Sequence, residues 1–269
     1  MRLLCLHGRG SNNDIFRMQT AGFRSLLDDF EFEFVQGQMP HVEGNWSLHT
    51  TDFADSKLWG YFNMLDPPDV LKTERELLEL VEEDGPFDGI LGYSQGGTLA
   101  AQMLVRHFAE NPKAGVEEMP FRFAIFFNTA TPSHVFEMKE EVKPVDVSSL
   151  NEQQQADAAL FYDIMKRNPL LGKTPFYPAQ LANGRGVLTD GKLGMVKCDT
   201  TWDGQPINMP TLHVRCPQDK EDHGEGTYKL CNPDLAEQYF HSHMHDFPRG
   251  YDEMRTIAKL IRKTADKAV

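Results

Sequence analysis

Phe87-Asp88-Gly89-Ile90-Leu91-Gly92-Tyr93-Ser94-Gln95-Gly96-Gly97-Thr98-Leu99-Ala100-Ala101 decides the fold of this chain. It reads as a short apolar strand, a serine flanked by glycines, then the start of an apolar helix. Gly92-x-Ser94-x-Gly96 fits a nucleophile elbow, the sharp strand-to-helix turn that lifts a serine hydroxyl above a sheet. Such a turn holds the serine at strained backbone angles and brings strand and helix close, so the glycines relieve crowding. The five-residue pattern alone would arise by chance in roughly one chain in ten of this size from average Gly and Ser usage. The strand before it and the helix after it supply the missing context.

The flanking sequence continues the alternation of strand and helix. Arg2–Leu6 reads as a buried strand that ends in His7-Gly8-Arg9-Gly10; with a strand so early, a sheet lacking the N-terminal hairpin is expected. Asn12 or Asn13 can cap a helix over Asp14–Leu27, with Ile15, Met18, Phe23, Leu26 and Leu27 towards the core. Glu31–Val35 alternates as a half-buried strand. The loop from Gly37 to Asp66 is polar and aromatic (Trp46, Phe53, Trp59, Tyr61, Phe62), and its length favours a binding role. Pro67-Pro68 reads as a stop, with Asp69 capping a helix over Val70–Glu83. Gln95–Ala109 is a helix, and Arg122–Phe127 is a continuous apolar run suited to a central parallel strand.

From about 131 to 208 the pattern breaks, with a mixed charge run at Lys139–Lys143, a helix-like stretch over Gln153–Arg167 and a Gly-rich turn at Gly184–Gly194. An insertion after the middle strand, at the serine end of the sheet, reads as a cap. Phe161, Met165, Phe176 and Tyr177 in it, with Trp59, are candidate substrate contacts. Regular structure resumes with a strand at Met209–Cys216, a short helix at Gly226–Leu230, a last strand at Ala236–His241 and a closing helix over Tyr251–Ala265, whose apolar face is Tyr251, Met254, Ile257, Ala258 and Ile261. The expected architecture is one α/β domain spanning 1–269, a mostly parallel doubly wound sheet with an inserted cap.

Composition narrows the class. A net charge of −13 over 269 residues argues against nucleic acid or an anionic membrane surface as partner. No stretch has the run of about 18 apolar residues that a membrane span needs. Met1–Leu6 runs straight into His7-Gly8, too short for a secretory signal, and Cys5, Cys198, Cys216 and Cys231 lack metal-ligand spacing. A cytoplasmic enzyme is expected. No HExxH, CxxC, P-loop or GxGxxG pattern occurs, so neither metal nor cofactor is implied.

A serine hydroxyl needs an adjacent base, itself oriented by an acid. Asp219 follows the penultimate strand and His245 the last one, so Ser94, Asp219 and His245 stand in the order Ser, acid, His with the late-strand placement of hydrolase triads. Asp222 in the same loop competes for the acid. Of His241, His243 and His245, two are expected at the surface or at the strand end. His213 reads as a core histidine, and His7 as hydrogen-bonded locally. The oxyanion hole is expected from the backbone N–H of Gln95 and one from the first-strand loop, for which Arg9 is the natural donor.

Leu4–Gly8, Phe16–Gln19, Gly89–Gly97, Pro210–Val214, Leu230–Pro233 and the His245-x-x-Pro248 ending together resemble the fungal family of serine hydrolases, in particular its polyketide esterases and thioesterases. The resemblance covers nearly the whole chain. It implies an α/β-hydrolase fold and a Ser-Asp-His triad on Ser94, Asp219 and His245. It also implies hydrolysis of an acyl thioester or ester, often release of a polyketide from the acyl carrier domain of its synthase. Two positions depart from the family: Met244 stands where glycine often precedes the histidine, and Cys216 where glycine often precedes the acid loop. The alternatives are a carboxylesterase for small free esters, favoured by the repulsion between two acidic proteins, and a ligand-binding module without catalysis. A basic patch from Arg9, Arg17, Arg24 or Arg185 would favour the carrier domain.

Overall fold

A computed structural model describes residues 1–41, 57–64, 66–111, 118–142, 144–145, 176–219 and 224–268. In chain order its elements are β1 (Arg2–Leu6), α1 (Asn13–Arg24), β2 (Glu31–Val35), β3 (Met39–Pro40), β4 (Trp59–Gly60), α2 (Pro67–Asp84), β5 (Gly89–Tyr93), α3 (Gln95–Glu110) and β6 (Phe123–Phe127). There follow β7 (Ser133–Glu137), β8 (Tyr177–Gln180), β9 (Gly186–Thr189), β10 (Leu193–Lys197), α4 (Thr200–Asp203), β11 (Thr211–Arg215), α5 (Glu225–Lys229), β12 (Ala236–Phe240) and α6 (Tyr251–Asp266). The chain divides into two compact units, one of Met1–Tyr61, Glu74–Pro132 and Asp199–Val269, the other of Phe62–Thr73 and Ser133–Cys198.

The first unit is built on a six-stranded sheet in the order β12-β11-β6-β5-β1-β2, parallel throughout. The two-residue period of a strand divides its side chains between the faces. Leu3, Cys5, Leu91, Tyr93, Phe123, Ile125, Phe127, Leu212 and Val214 meet Phe16, Phe23 and Leu27 from the α1 side and Met254, Ile257 and Ile261 of α6 in one buried core. Gly92 points to the opposite face, against α3. With helices on both faces, the central strands read as unbroken apolar runs, as β6 does. This is the α/β-hydrolase architecture that the elbow implied.

The helices correct the sequence reading in three places. On α1 the core face runs through Phe16, Thr20, Phe23 and on to Leu27, at steps of three and four residues, whereas Met18 and Leu26 are exposed. Met18 lies two residues, about 200°, round the helix from Phe16 and so points away from the sheet. The Asn12 side chain caps this helix by accepting the Ile15 N–H at 2.9 Å. Helix α2 begins at Pro67, not after it: the two prolines occupy its first turn, where a missing N–H costs nothing. Asp69, expected as its cap, instead accepts the Asn63 N–H at 2.7 Å. On α6, Tyr251 opens the helix and stays exposed, while Met254, Ile257, Ala258 and Ile261 are buried as expected.

The second unit carries an antiparallel sheet in the order β7-β10-β9-β8. Ala179, Val187 and Val196 form its small core, with Phe136, Met138 and Tyr177 packed round them. The Gly184–Gly194 stretch, read from sequence as a Gly-rich turn, is therefore two hairpin tips with a strand between them. Gly184 and Gly191 take positive φ at the tips, a geometry glycine enters without strain. Among the described residues no helix is long and apolar enough to cross a membrane.

Candidate active site

Ser94 sits between β5 and α3 with φ 50° and ψ −117°. Its N–H donates to the Phe127 carbonyl at 2.9 Å, which ties the turn to the neighbouring strand. A Cβ on Gly92 would collide with the backbone of Gly97, and one on Gly96 with the carbonyls of Leu6 and His7. Both positions therefore require glycine, for close approach of backbone to backbone. Strand, turn and helix together leave the serine hydroxyl at the C-terminal end of the parallel sheet, where open α/β sheets carry their sites.

Two late loops reach that hydroxyl. Ser94 Oγ lies 3.0 Å from His245 Nε2, and His245 Nδ1 lies 3.2 Å from Asp219 Oδ2. Asp219 lies in the turn after β11, where its N–H donates to the Cys216 carbonyl at 3.1 Å. Its side chain is only 12% exposed, while that of His245 is 40% exposed. The imidazole stacks on Tyr93, with ring centroids 5.8 Å apart. Asp222, the competing acid, lies outside the described residues.

The neighbouring histidines have other partners. His243 Nε2 meets the Glu253 carboxylate at 2.7 Å. His241, at the strand end just after β12 as the sequence allowed, is buried, and its Nε2 faces Asn128 Oδ1 at 3.0 Å. His213 is fully buried in β11 as expected, 3.1 Å from Thr211 Oγ1, and burial lowers its pKa to about 3. Two side chains that the sequence reading did not single out reach the His245 loop. Tyr93 OH donates to the His245 carbonyl at 2.6 Å. The Asn128 amide donates to the carbonyls of His245 and Asp246 at 3.3 and 3.0 Å.

The first-strand loop runs beside the elbow. A Cβ on Gly8 would stand 3.0 Å from the Tyr93 ring and 3.4 Å from Ser94 Cβ, so this loop passes directly alongside the serine. His7 is fully buried. Its Nδ1 lies 2.7 Å from the Gly8 carbonyl, and its Nε2 accepts the Gly37 N–H at 3.0 Å, which fixes a neutral tautomer with the proton on Nδ1. Burial lowers its pKa accordingly. The Gly10 N–H donates to the Trp59 carbonyl at 2.8 Å, and the Tyr61 N–H to Gln95 Oε1 at 2.9 Å. A Cβ on Gly60, between Trp59 and Tyr61, would stand 3.3 Å from Arg9 Cγ, and Gln95 opens α3, whose first N–H groups have no acceptor within the helix.

Of the candidate substrate contacts, Trp59 lies in β4, bridged to Ser11 next to the Arg9 loop. Phe176 and Tyr177 belong to the second unit. Phe161 and Met165, with Trp46, Phe53 and the helix expected over Gln153–Arg167, lie outside the described residues. Arg17 and Arg24 stack on the Phe34 ring, at 4.3 and 5.3 Å, and Arg185 donates to the Lys197 carbonyl within the second unit. Among the described residues, no group of three His, Cys, Asp or Glu side chains could hold a metal ion.

Known proteins resemble this chain along most of its length. Hydrolase FUB4 of Gibberella moniliformis is 30% identical, the match covering 98% of either chain. Esterase alnB of Emericella nidulans is 24% identical over 94% of this chain and 93% of its own. Among solved structures, the monoacylglycerol lipase of Paleococcus ferrophilus superposes with a TM-score of 0.51 at 12% identity, covering 98% of this chain and 94% of that one, a likeness of fold alone. The model of the serine hydrolase family FSH1 matches residues 1–257, and with the Ser94 elbow at the end of the parallel sheet the chain belongs to that family of hydrolytic enzymes.

Proposed function

We propose that this hydrolase cleaves an acyl thioester or ester through an acyl-enzyme on Ser94, with His245 as base and Asp219 as its orienting acid. The hydrogen-bonded run from Ser94 Oγ through the His245 ring to Asp219 Oδ2 carries the proposal. Ser94 Oγ attacks the acyl carbonyl as its proton passes to His245 Nε2. The tetrahedral oxyanion takes hydrogen bonds from the backbone N–H groups of Arg9 and Gln95, each such donor being worth about 3 kcal/mol in the transition state. His245 then protonates the departing thiolate or alkoxide, and water, activated by the same nitrogen, releases the acid and restores the serine. Asp219 keeps the imidazole in the tautomer with Nδ1–H and stabilises it when charged.

The substrate fitting the family resemblance is a polyketide acyl chain on the carrier domain of its synthase, with Trp59 beside the Arg9 loop contributing to the acyl wall. The net charge of −13 favours a second reading, small free esters, because an acidic carrier is repelled. Arg17 and Arg24, stacked on Phe34, are already engaged within the fold. Acyl thioesters and oxygen esters of matched chain length, free and carrier-bound, separate the two readings. Carrier-bound thioesters turned over at least about tenfold faster than free ones support the first, and the reverse ranking supports the second. Ser94→Ala should lose roughly 10³-fold or more in kcat on every substrate; parental turnover by that variant would end the proposal.

A further inference from the structure

The His245 side chain is 40% exposed, with its ring stacked on Tyr93. Its main chain is held as well. Tyr93 OH, next to the nucleophile, and the Asn128 amide both donate to the His245 carbonyl, at 2.6 and 3.3 Å, and Asn128 also reaches the Asp246 carbonyl at 3.0 Å. Asn128 directly follows β6 and is almost wholly buried. It has φ 44°, and its own N–H donates to the Val214 carbonyl at 2.9 Å. A buried non-glycine residue at positive φ is kept only where its surroundings over-determine it.

The orientation of that amide is fixed from behind. The His243 N–H donates to His241 Nδ1 at 3.2 Å, so the hydrogen of His241 sits on Nε2 and donates to Asn128 Oδ1 at 3.0 Å. The Asn128 NH2 is thereby aimed at the two carbonyls, and no flip of amide or ring preserves all of these bonds. His241 is itself pinned at the end of β12 by its N–H to the Arg215 carbonyl at 3.0 Å. We infer that Asn128, oriented by His241 and assisted by Tyr93, is a positioning residue that holds His245 Nε2 in line with Ser94 Oγ. The inference rests on the triad reading above and goes beyond it, assigning the geometry of the base to side chains outside Ser94, His245 and Asp219.

The test uses the full chain, a fluorophosphonate probe and a short-chain p-nitrophenyl ester. Asn128→Asp keeps the volume but turns two donors into an acceptor facing two carbonyls, and Asn128→Ala removes the side chain. Each should label at least about tenfold more slowly than the parent and lose the same factor in kcat, with KM within about twofold, since a misplaced base costs rate and not binding. A folded Asn128 variant that labels at the parental rate overturns the inference, however far its melting temperature has dropped, because its role is then only structural. If neither Asn128 variant folds, Tyr93→Phe decides: loss of one hydroxyl should slow labelling at least about threefold, and a parental rate overturns the inference. A parent that does not label removes the triad reading itself, a result distinct from variants that label as fast as a reactive parent.

Discussion

At Ser94 and Met244 the backbone takes positive φ, 50° and 55°. At Ser94 the strain belongs to the elbow and is braced by the glycines around it. Met244 carries the same kind of strain and is 44% exposed. Met244→Gly should therefore stabilise the fold by about 0.5–1 kcal/mol, the relief of left-handed strain exceeding the added entropy of the unfolded chain. A urea midpoint that rises with unchanged slope is the expected result, and a fall would mean the Met244 side chain packs productively. The nucleophile, acid and base candidates were legible in the sequence because motif and chain order restrict them. Asn128 was not, because its role appears only when the end of β6 meets a loop 117 residues further on. A short polar residue just beyond an apolar strand was the one available signal.

At the scale of elements, periodicity placed every strand of the parallel sheet and set Ile15, Phe23 and Leu27 of the first helix stretch inward, but it turned Met18 and Leu26 the wrong way. Phe16 and Met18 are both apolar, and only the sheet beneath decides which faces inward. Phe23→Ala should cost about 3–5 kcal/mol, since that ring stacks on Phe127 and Phe247 inside the core. Met18→Ala should stay within about 0.5 kcal/mol, and equal losses at the two positions would contradict the observed phase. Thermal or urea denaturation measures both. The antiparallel strands of the second unit escaped the sequence reading for a related reason. Their tips are glycine-rich, and glycines that permit a tight hairpin look in a sequence like glycines in an irregular loop. Arg106 of α3 and Glu74 of α2 make a buried pair at 2.5 Å that the amphipathic pattern also hid. Glu74→Ala should cost about 1–3 kcal/mol, since the guanidinium loses its buried partner and keeps Glu110 at 3.5 Å.

For the whole molecule, buried neutral histidines tie stability to pH. Burial holds His213 at about 3 and His241 at about 4, both below the ordinary value of 6.5. Below pH 6.5 the unfolded chain takes up protons at these sites that the folded chain refuses. Their contribution is therefore complete above about pH 6.5 and is lost as the pH falls towards 4, at up to about 1.4 kcal/mol per pH unit for each histidine. Urea midpoints at pH 7 and pH 5 should show the loss, and His213→Gln should flatten it. A slope unchanged by that substitution would assign the acid sensitivity elsewhere.

Ser94 is synthesised 151 residues before His245, with Asp219 and the end of β6 between them. On the ribosome the elbow is translated long before the proposed base, so under the proposed mechanism the hydroxyl of a nascent chain has the reactivity of any other serine. Activation waits for the last strand and its loop to join a sheet whose centre formed from earlier residues, the slow, long-range class of folding event. Covalent labelling of Ser94 during refolding thus acts as a clock for completion of the fold. Under the same proposal, a chain released short of its C-terminal loop would leave the Ser94 hydroxyl chemically silent.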